Sequence, residues 1–229
     1  MSHKRARGSQ RDVNMSQAAS SSSSAYAGQR GNGFDSAIIG VPNSRRTTLL
    51  YADTLVLGSG VGTTAQHVFR LNSLFDPDYT GVGHQPRYFD QFAALFNRYR
   101  VDEVYIEMTL STTSNMGAVV ILNADNSLGG VGVASALELP NTSAPITVQA
   151  DNSKTLRFRV SPAKVTGVSK AHYMDDRFSS VVTTNPAEAI GLSVSTLAAD
   201  NLTTGINVNV SYRMAFKCEF YDRIAIGGS

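Results

Sequence analysis

A run of fifteen residues near the C-terminus alternates strictly between two kinds of side chain. Apolar residues occupy every second position from Ile206 to Phe220, and polar, charged or small residues lie between them. Side chains of a β-strand point alternately to its two faces, so this period of two predicts a strand that is buried on one face. At about 3.3 Å per residue it would span about 50 Å, more than most strands. The chain must therefore fold around a large sheet.

Shorter runs of the same kind predict further strands. Residues 104–111 alternate around Val104 and Met108, and residues 156–160 alternate around Phe158. Weaker strand candidates are Leu49–Leu57, Gln66–Leu71, Gly117–Leu122, Ile146–Gln149, Ser180–Thr183 and Ile190–Leu197. Turn residues separate these runs at the spacing of a sandwich or barrel. We therefore predict an all-β domain.

One segment has helical spacing instead. Its apolar residues fall at i, i+3, i+4 and i+7, namely Phe89, Phe92, Ala93 and Phe96. Asp90 near the start and Arg98 and Arg100 near the end would match the helix dipole. The pattern predicts a short amphipathic helix that interrupts the strands, and residues 131–139 are a weaker helical candidate.

Composition limits how such a domain is stabilised. One cysteine and four histidines exclude an intrachain disulfide framework and a cysteine-rich zinc site. No window reaches the roughly 18 consecutive apolar residues of a membrane span, and the N-terminus is polar where a signal peptide would be apolar. We expect no membrane partner, and stability that comes from packing or assembly.

The sequence contains no catalytic constellation. Dinucleotide-binding, Walker, metalloprotease and nucleophile-elbow motifs are all missing from it. Acidic or amide residues occur in pairs at Asp76/Asp78, Asp102/Glu103, Asn123/Asp125 and Asp175/Asp176. Calcium needs six to eight oxygen ligands, more than any one of these loops supplies. We expect no enzymatic activity, no cofactor and no metal ligands within one chain; a calcium ion would have to bridge subunits.

The net charge of +2 hides an uneven distribution. Residues 1–46 contain seven cations, namely Lys4, Arg5, Arg7, Arg11, Arg30, Arg45 and Arg46. Two anions lower the net charge of this segment to five, and the remaining residues carry a net charge of −3. The segment also contains the Ser20–Ser24 run and few apolar residues, a composition typical of disorder. We predict a disordered basic arm over residues 1–46 and one domain over residues 47–229.

The basic residues suggest a partner. An arginine-biased, Ser/Gly-spaced segment neutralises phosphates without sequence preference, so the seven cations are predicted to bind single-stranded nucleic acid. A solubilising tail is the alternative. Arg213 and Lys217 share the polar face of the long strand and would extend the basic surface, as would Arg157 and Arg159 on another strand. The alternative for these faces is to keep an exposed sheet soluble. Residues 3–7 also match a nuclear-entry signal.

Two regions carry a resemblance to a known family. Residues 69–78, 83–92 and 99–101 read FRLNSLFDPD, GHQPRYFDQF and YRV, and residues 156–167 read LRFRVSPAKVTG. These stretches resemble the capsid proteins of circular single-stranded DNA viruses that encode a replication initiator. That coat lineage is shared with small single-jelly-roll RNA plant viruses and their satellites. The resemblance is specific over residues 69–101 and looser over the rest of residues 47–229.

The resemblance implies an eight-stranded jelly roll with a short helix between strands C and D. It also implies self-assembly of about sixty copies into an icosahedral shell, an arm that points inward onto the genome, and a location in the virion. DNA would be favoured over RNA as cargo. In the family's lettering the strands are expected at 47–57 (B), 66–72 (C), 99–111 (D), 117–123 (E), 154–160 (F), 180–183 (G), 189–197 (H) and 206–221 (I), with the helix at 88–97.

Gly83 to Tyr88 would form the loop that enters the helix. There His84, Gln85, Pro86 and Arg87 are predicted to contact a neighbouring subunit or, alternatively, to satisfy backbone groups of their own chain. A rival function is that of a cellular β-sandwich module that binds single-stranded nucleic acid or glycans as a monomer or small oligomer. Such a module usually stacks bases on exposed aromatic rings, whereas Tyr212, Phe216 and Phe220 are predicted to be core.

Overall fold

The computed structural model describes residues 41–200 and 203–225, and nine strands account for much of this part. The strands are β1 (Ser44–Ser59), β2 (Ala65–Arg70), β3 (Phe96–Thr112), β4 (Ala118–Asp125), β5 (Ile146–Val148), β6 (Lys154–Val160), β7 (Ser180–Val181), β8 (Gly191–Ala198) and β9 (Ile206–Arg223). The long strand predicted from its alternation is β9, and its burial alternates from Ile206 to Phe220 as the pattern requires.

The helices are short. They are α1 (Phe89–Ala93), α2 (Val133–Ala136), α3 (Pro162–Val165) and α4 (Lys170–Tyr173), followed by a 3₁₀ turn at Asp176–Phe178. No helix in the described ranges is long and apolar enough to cross a membrane.

The strands form two antiparallel sheets. The first has the order β1-β9-β3-β6, with the two-residue β7 paired to the start of β3, and the second has the order β2-β8-β4-β5. If the two-residue β7 is left aside, the first sheet contains β1, β3, β6 and β9, and every connection except that from β4 to β5 crosses between the sheets. This double-sheet arrangement is an eight-stranded jelly roll, which confirms the predicted fold class.

Two of the expected strand letters were wrong. Residues 154–160 were expected as strand F, but β6 pairs with β3 in the first sheet and therefore occupies position G. Position F belongs to the three-residue β5, which pairs with β4 in the second sheet. Residues 180–183, expected as strand G, contribute only β7, which pairs with Arg98 and Tyr99. The error arose because β5 is too short to show a period of two.

The arm-domain boundary also lies earlier than expected. Strand β1 begins at Ser44 and pairs with β9 over its whole length, with Arg45 opposite Phe220 and Arg46 opposite Glu219. These two arginines therefore belong to the sheet and not to the arm.

The core lies between the sheets and is richest in aromatic rings beside α1. Phe220 is fully buried there, with its ring centroid 4.8 Å from that of Phe92 and between 6.0 and 6.4 Å from those of Phe89, Phe96 and Tyr99. The sequence predicted that Phe89, Phe92 and Phe96 lie on one face of a helix. Helix α1 ends at Ala93, however, and Phe96 already begins β3. Arg98 and Arg100 consequently lie in β3, where they pair with carboxylates and not with a helix terminus.

The single cysteine of the chain, Cys218, lies in this core. Its side chain is buried, and burial raises the pKa of its thiol to about 12. Thiolates are the reactive form, and the lower thiolate fraction is only partly offset by the higher nucleophilicity of a basic thiolate. We therefore expect iodoacetamide at pH 8.5 to alkylate Cys218 at least about 50-fold more slowly in the native protein than in urea. Mass spectrometry of a time course measures this, and equal rates would contradict the burial.

Candidate nucleic-acid interface

The outer face of the first sheet collects charged side chains from three neighbouring strands. Alternation along each strand brings eight residues to this side, which we call the outer basic face: Arg157 and Arg159 on β6, Glu103, Tyr105 and Glu107 on β3, and Arg213, Ala215 and Lys217 on β9. Strand β3 lies between β6 and β9 in the sheet. The two pairs of cations that the sequence predicted on separate strands therefore share one surface.

The strand register sets which side chains are neighbours on this face. Glu107 lies opposite Arg157 on one side and Arg213 on the other. Tyr105 lies opposite Arg159, and Glu103 lies opposite Lys217. Cations and carboxylates thus alternate across the three strands.

Two of the cations are paired within the face. Arg157 Nε donates to Glu107 Oε2 at 2.7 Å, and Arg159 Nε donates to Glu103 Oε1 at 2.6 Å. The Arg159 guanidinium also lies 4.8 Å from the ring centroid of Tyr105, whose hydroxyl donates to Glu103. The hydrogen bond from Arg159 lowers the pKa of the Glu103 carboxyl, and that from Tyr105 lowers it further. Because both arginines are largely exposed, these pairs contribute little to stability.

The other two cations, Arg213 and Lys217, form no ion pair with any residue of the described ranges. Four cations and two carboxylates leave the face with a net charge of two. A shallow depression of about 360 Å³ crosses it between Arg157 and Arg213. Tyr105 keeps 41% of its surface exposed there, so a base could stack on its ring while cations contact phosphates.

Sequence reasoning missed Tyr105, Glu103 and Glu107 as members of this site. Tyr105 and Glu107 occupy polar positions of the alternating run 104–111, and Glu103 continues this alternation one residue before the run. What the sequence lacked was the position of β3 between β6 and β9, which decides which cations the carboxylates neutralise.

The loop predicted as a subunit interface caps an edge of the first sheet. His84 Nδ1 lies 2.7 Å from the carbonyl oxygen of Gln85, and Nε2 lies 3.3 Å from that of Ala52 in β1. The backbone N–H of Arg87 donates to the carbonyl oxygen of Leu50 in the same strand. Pro86 is buried, and the side chains of His84 and Arg87 are exposed. The His84 ring thus contacts two backbone carbonyl groups, as the alternative prediction has it, whereas Arg87 contributes its own backbone N–H; the contact with a neighbouring subunit stays a prediction.

The remaining cations of the predicted site are divided. Arg46 on β1 lies 3.5 Å from Glu219, and Arg45 is exposed on the same strand. Lys4, Arg5, Arg7, Arg11 and Arg30 lie outside the described residues. Their role in binding nucleic acid stays a prediction.

Most of the paired acids that might have suggested a metal site lie against basic side chains of their own chain. Asp76 pairs with Arg70, Asp78 with His67, Asp102 with Arg100, Asp175 with Arg177 and Asp176 with Arg98. Within the described ranges no group of three His, Cys, Asp or Glu side chains could hold a metal ion.

Solved structures from viruses align with most of the chain. A chain from the native virion of Kashmir bee virus at acidic pH is 12% identical, with a TM-score of 0.45 and coverage of 95% of this chain and 86% of that one. A chain from the semi-empty particle of the giant freshwater prawn Macrobrachium rosenbergii nodavirus is 9% identical, with a TM-score of 0.43 and coverage of 80% and 97%. A chain from turnip yellow mosaic virus is 12% identical, with a TM-score of 0.40 and coverage of 87% of this chain and 93% of that one. At such values the similarity assigns no function.

No protein-family model matches the sequence, and no curated protein matches it either.

Proposed function

We propose that this chain is a viral capsid protein that assembles into a small closed shell of about sixty copies and packages single-stranded nucleic acid. The observation that carries the proposal is the agreement between sequence resemblance and topology. Residues 69–101 resemble a capsid family whose fold is an eight-stranded jelly roll with a helix between strands C and D, the second and third strands of the domain. The structure contains that strand order, and α1 lies between β2 and β3.

Exposed apolar side chains near α1 support assembly. Val82 and Tyr88, on either side of the loop His84–Arg87, have 87% and 71% of their surface exposed, and Leu95 follows the helix. Tyr88 also adopts a left-handed backbone conformation with φ of 71°, which is unfavourable for a bulky residue. A groove of about 420 Å³ runs between Tyr88, Leu95 and the start of β1. Burial of this surface against a second subunit would stabilise the assembly.

The basic surfaces support packaging. The outer basic face offers Arg213 and Lys217 to phosphates, and residues 1–40 contain five more cations. Such contacts release counterions from the nucleic acid and carry little sequence information. We expect the arm to face the interior of the shell, with DNA favoured as cargo and the virion as the location of the protein. Residues 3–7 could direct the protein to the host nucleus before assembly. The activity needs no cofactor, and a calcium ion would have to draw ligands from two chains.

Electron microscopy of the purified full-length protein tests this function. We expect uniform closed spheres, because a shell protein buries its exposed apolar surface only in the complete assembly. The rival binding module would give monodisperse small particles, and that result would contradict the capsid proposal. Nucleic acid extracted from the spheres and digested with DNase or RNase identifies the cargo.

A further inference from the structure

A second group of cations lines a cleft at one end of the first sheet. Segment 161–173, which contains α3 and α4, folds over the sheet there and borders an open cleft of about 570 Å³. Arg46 of β1, Lys217 of β9, and Lys164 and Lys170 of the segment line this cleft. We call these four residues the cleft cations. No pattern in the sequence groups Lys164 and Lys170 with the other two.

Hydrogen bonds fix the segment against β3. The Tyr173 hydroxyl is buried and donates to the carbonyl oxygen of Val101 at 2.7 Å, and Ser161 Oγ donates to that of Asp102 at 3.3 Å. The lysines are therefore carried by an anchored segment, although their side chains are exposed. The backbone of the site is therefore ordered before a polyanion binds, and this preorganisation lowers the entropic cost of binding.

Each carboxylate that lines the cleft is paired with a cation outside it. Asp102 accepts from Arg100 at 3.2 Å, and Glu103 accepts from Arg159 at 2.6 Å. Neither Arg100 nor Arg159 lines the cleft. Arg100 also pairs with Glu219, so the four cleft cations together with Arg100 and Arg159 face three carboxylates, which leaves a net charge of three.

Arg46 is also available to a ligand. Its one partner in the described ranges, Glu219 Oε2, lies 3.5 Å away and is held at 2.8 Å by the buried Arg100. Two-thirds of the Arg46 side chain is exposed. Lys164, Lys170 and Lys217 form no ion pair with any residue between 41 and 225 that the structure describes.

We infer that the cleft binds phosphodiester groups of the single-stranded nucleic acid. Lys217 belongs both to the cleft and to the outer basic face, so one strand of nucleic acid could pass from the face into the cleft. The inference rests on the proposed function. It adds a phosphate site on the folded domain, and all four of its cations lie outside residues 1–40.

Lysine footprinting tests the cleft in the wild-type full-length protein. The protein is stripped of nucleic acid in high salt, acetylated with and without a 20-nucleotide oligothymidylate, and analysed by mass spectrometry. We expect the oligonucleotide to protect Lys164, Lys170 and Lys217 several-fold. Lys154 begins β6 outside both the cleft and the outer basic face, so its acetylation should not change. Protection of Lys154 equal to that of the cleft lysines would overturn the inference, as would equal protection by inorganic phosphate at matched ionic strength.

Charge-removing variants give an independent measurement. Each phosphate contact contributes about 0.7 to the slope of log affinity against log salt for a single strand. We expect Lys164→Gln and Lys170→Gln each to make this slope shallower by about 0.7, and the double variant by about 1.4. The matched control Lys154→Gln should keep the wild-type slope. If the wild type binds the oligonucleotide and the double variant matches the control, the cleft is wrong and the proposed function survives. If the wild type neither binds nor assembles, the proposed function itself fails.

Discussion

Replacing Phe220 with alanine is expected to lower the free energy of unfolding by about 3–5 kcal/mol. The ring is fully buried among four other aromatic rings, and it connects β9 to α1 and to the start of β3. Alanine would leave a cavity that these neighbours cannot fill, since they are held by both the helix and the strand. Urea unfolding of the dissociated subunit, followed by tyrosine fluorescence at one protein concentration, measures the loss.

Two further variants separate the cavity from a general effect of mutation. Phe220→Leu keeps much of the volume and should cost less than half as much as Phe220→Ala. Val56→Ala changes an exposed residue in β1 and should cost less than about 1 kcal/mol. If Phe220→Ala costs no more than Val56→Ala, the aromatic cluster does not stabilise the core. If Phe220→Ala does not fold, the test compares the loss in the free energy of unfolding of Phe220→Leu with that of Val56→Ala.

Side-chain alternation predicted the strands that have one face buried and the other exposed to solvent. β9, β3 and β6 have this property, and their runs were recognised correctly. Strand β5 has three residues, too few to show a period, and β7 has two. The lettering of strands F and G failed there because sheet membership depends on pairing partners far away in the sequence.

Only part of the candidate site could be predicted from the sequence. Sequence alternation placed Arg213 and Lys217 on one face of β9 and Arg157 and Arg159 on one face of β6. It could not show that Glu107 and Glu103 neutralise the second pair, because that contact depends on the register of β3 with β6. Lys164 and Lys170 lie on short helices without any period, so only the folded segment brings them to the cleft.

The start of β1 at Ser44 changes how the net charge is divided between the N-terminal segment and the folded domain. With Arg45 and Arg46 in the sheet, residues 1–40 keep five cations and two anions, a net charge of three. The remaining residues contain fifteen cations and sixteen anions, a net charge of −1. Sixty arms would carry about 180 net positive charges, whereas a genome that encodes 229 residues has at least about 690 phosphates. Under the proposed function, residues 1–40 would be the main source of net attraction for the genome, and their charge alone would not balance it.

Deletion of residues 1–40 is expected to produce particles that have lost most of their nucleic acid. The remaining domain carries a net negative charge, so only local sites such as the cleft and the outer basic face would still attract phosphates. The deletion spares β1 and the hydrogen bond from Arg223 to the carbonyl oxygen of Val41, so the domain should keep its β-rich circular dichroism spectrum. The ratio of absorbance at 260 and 280 nm measures the cargo. Five lost cations should also lower the salt slope of oligonucleotide binding by up to about 3.5.

Two full-length variants show whether charge or length is responsible. Replacing Lys4, Arg5, Arg7, Arg11 and Arg30 with glutamine should reproduce the loss of nucleic acid, because the segment keeps its length but loses every cation. Removing the Ser20–Ser24 run shortens the segment without changing its charge and should leave the cargo at the wild-type level. Wild-type nucleic-acid content in the glutamine variant would reject the arm as the packaging element. Packaging would then have to rest on the folded domain, where the cleft cations and the outer basic face are the surfaces to test next.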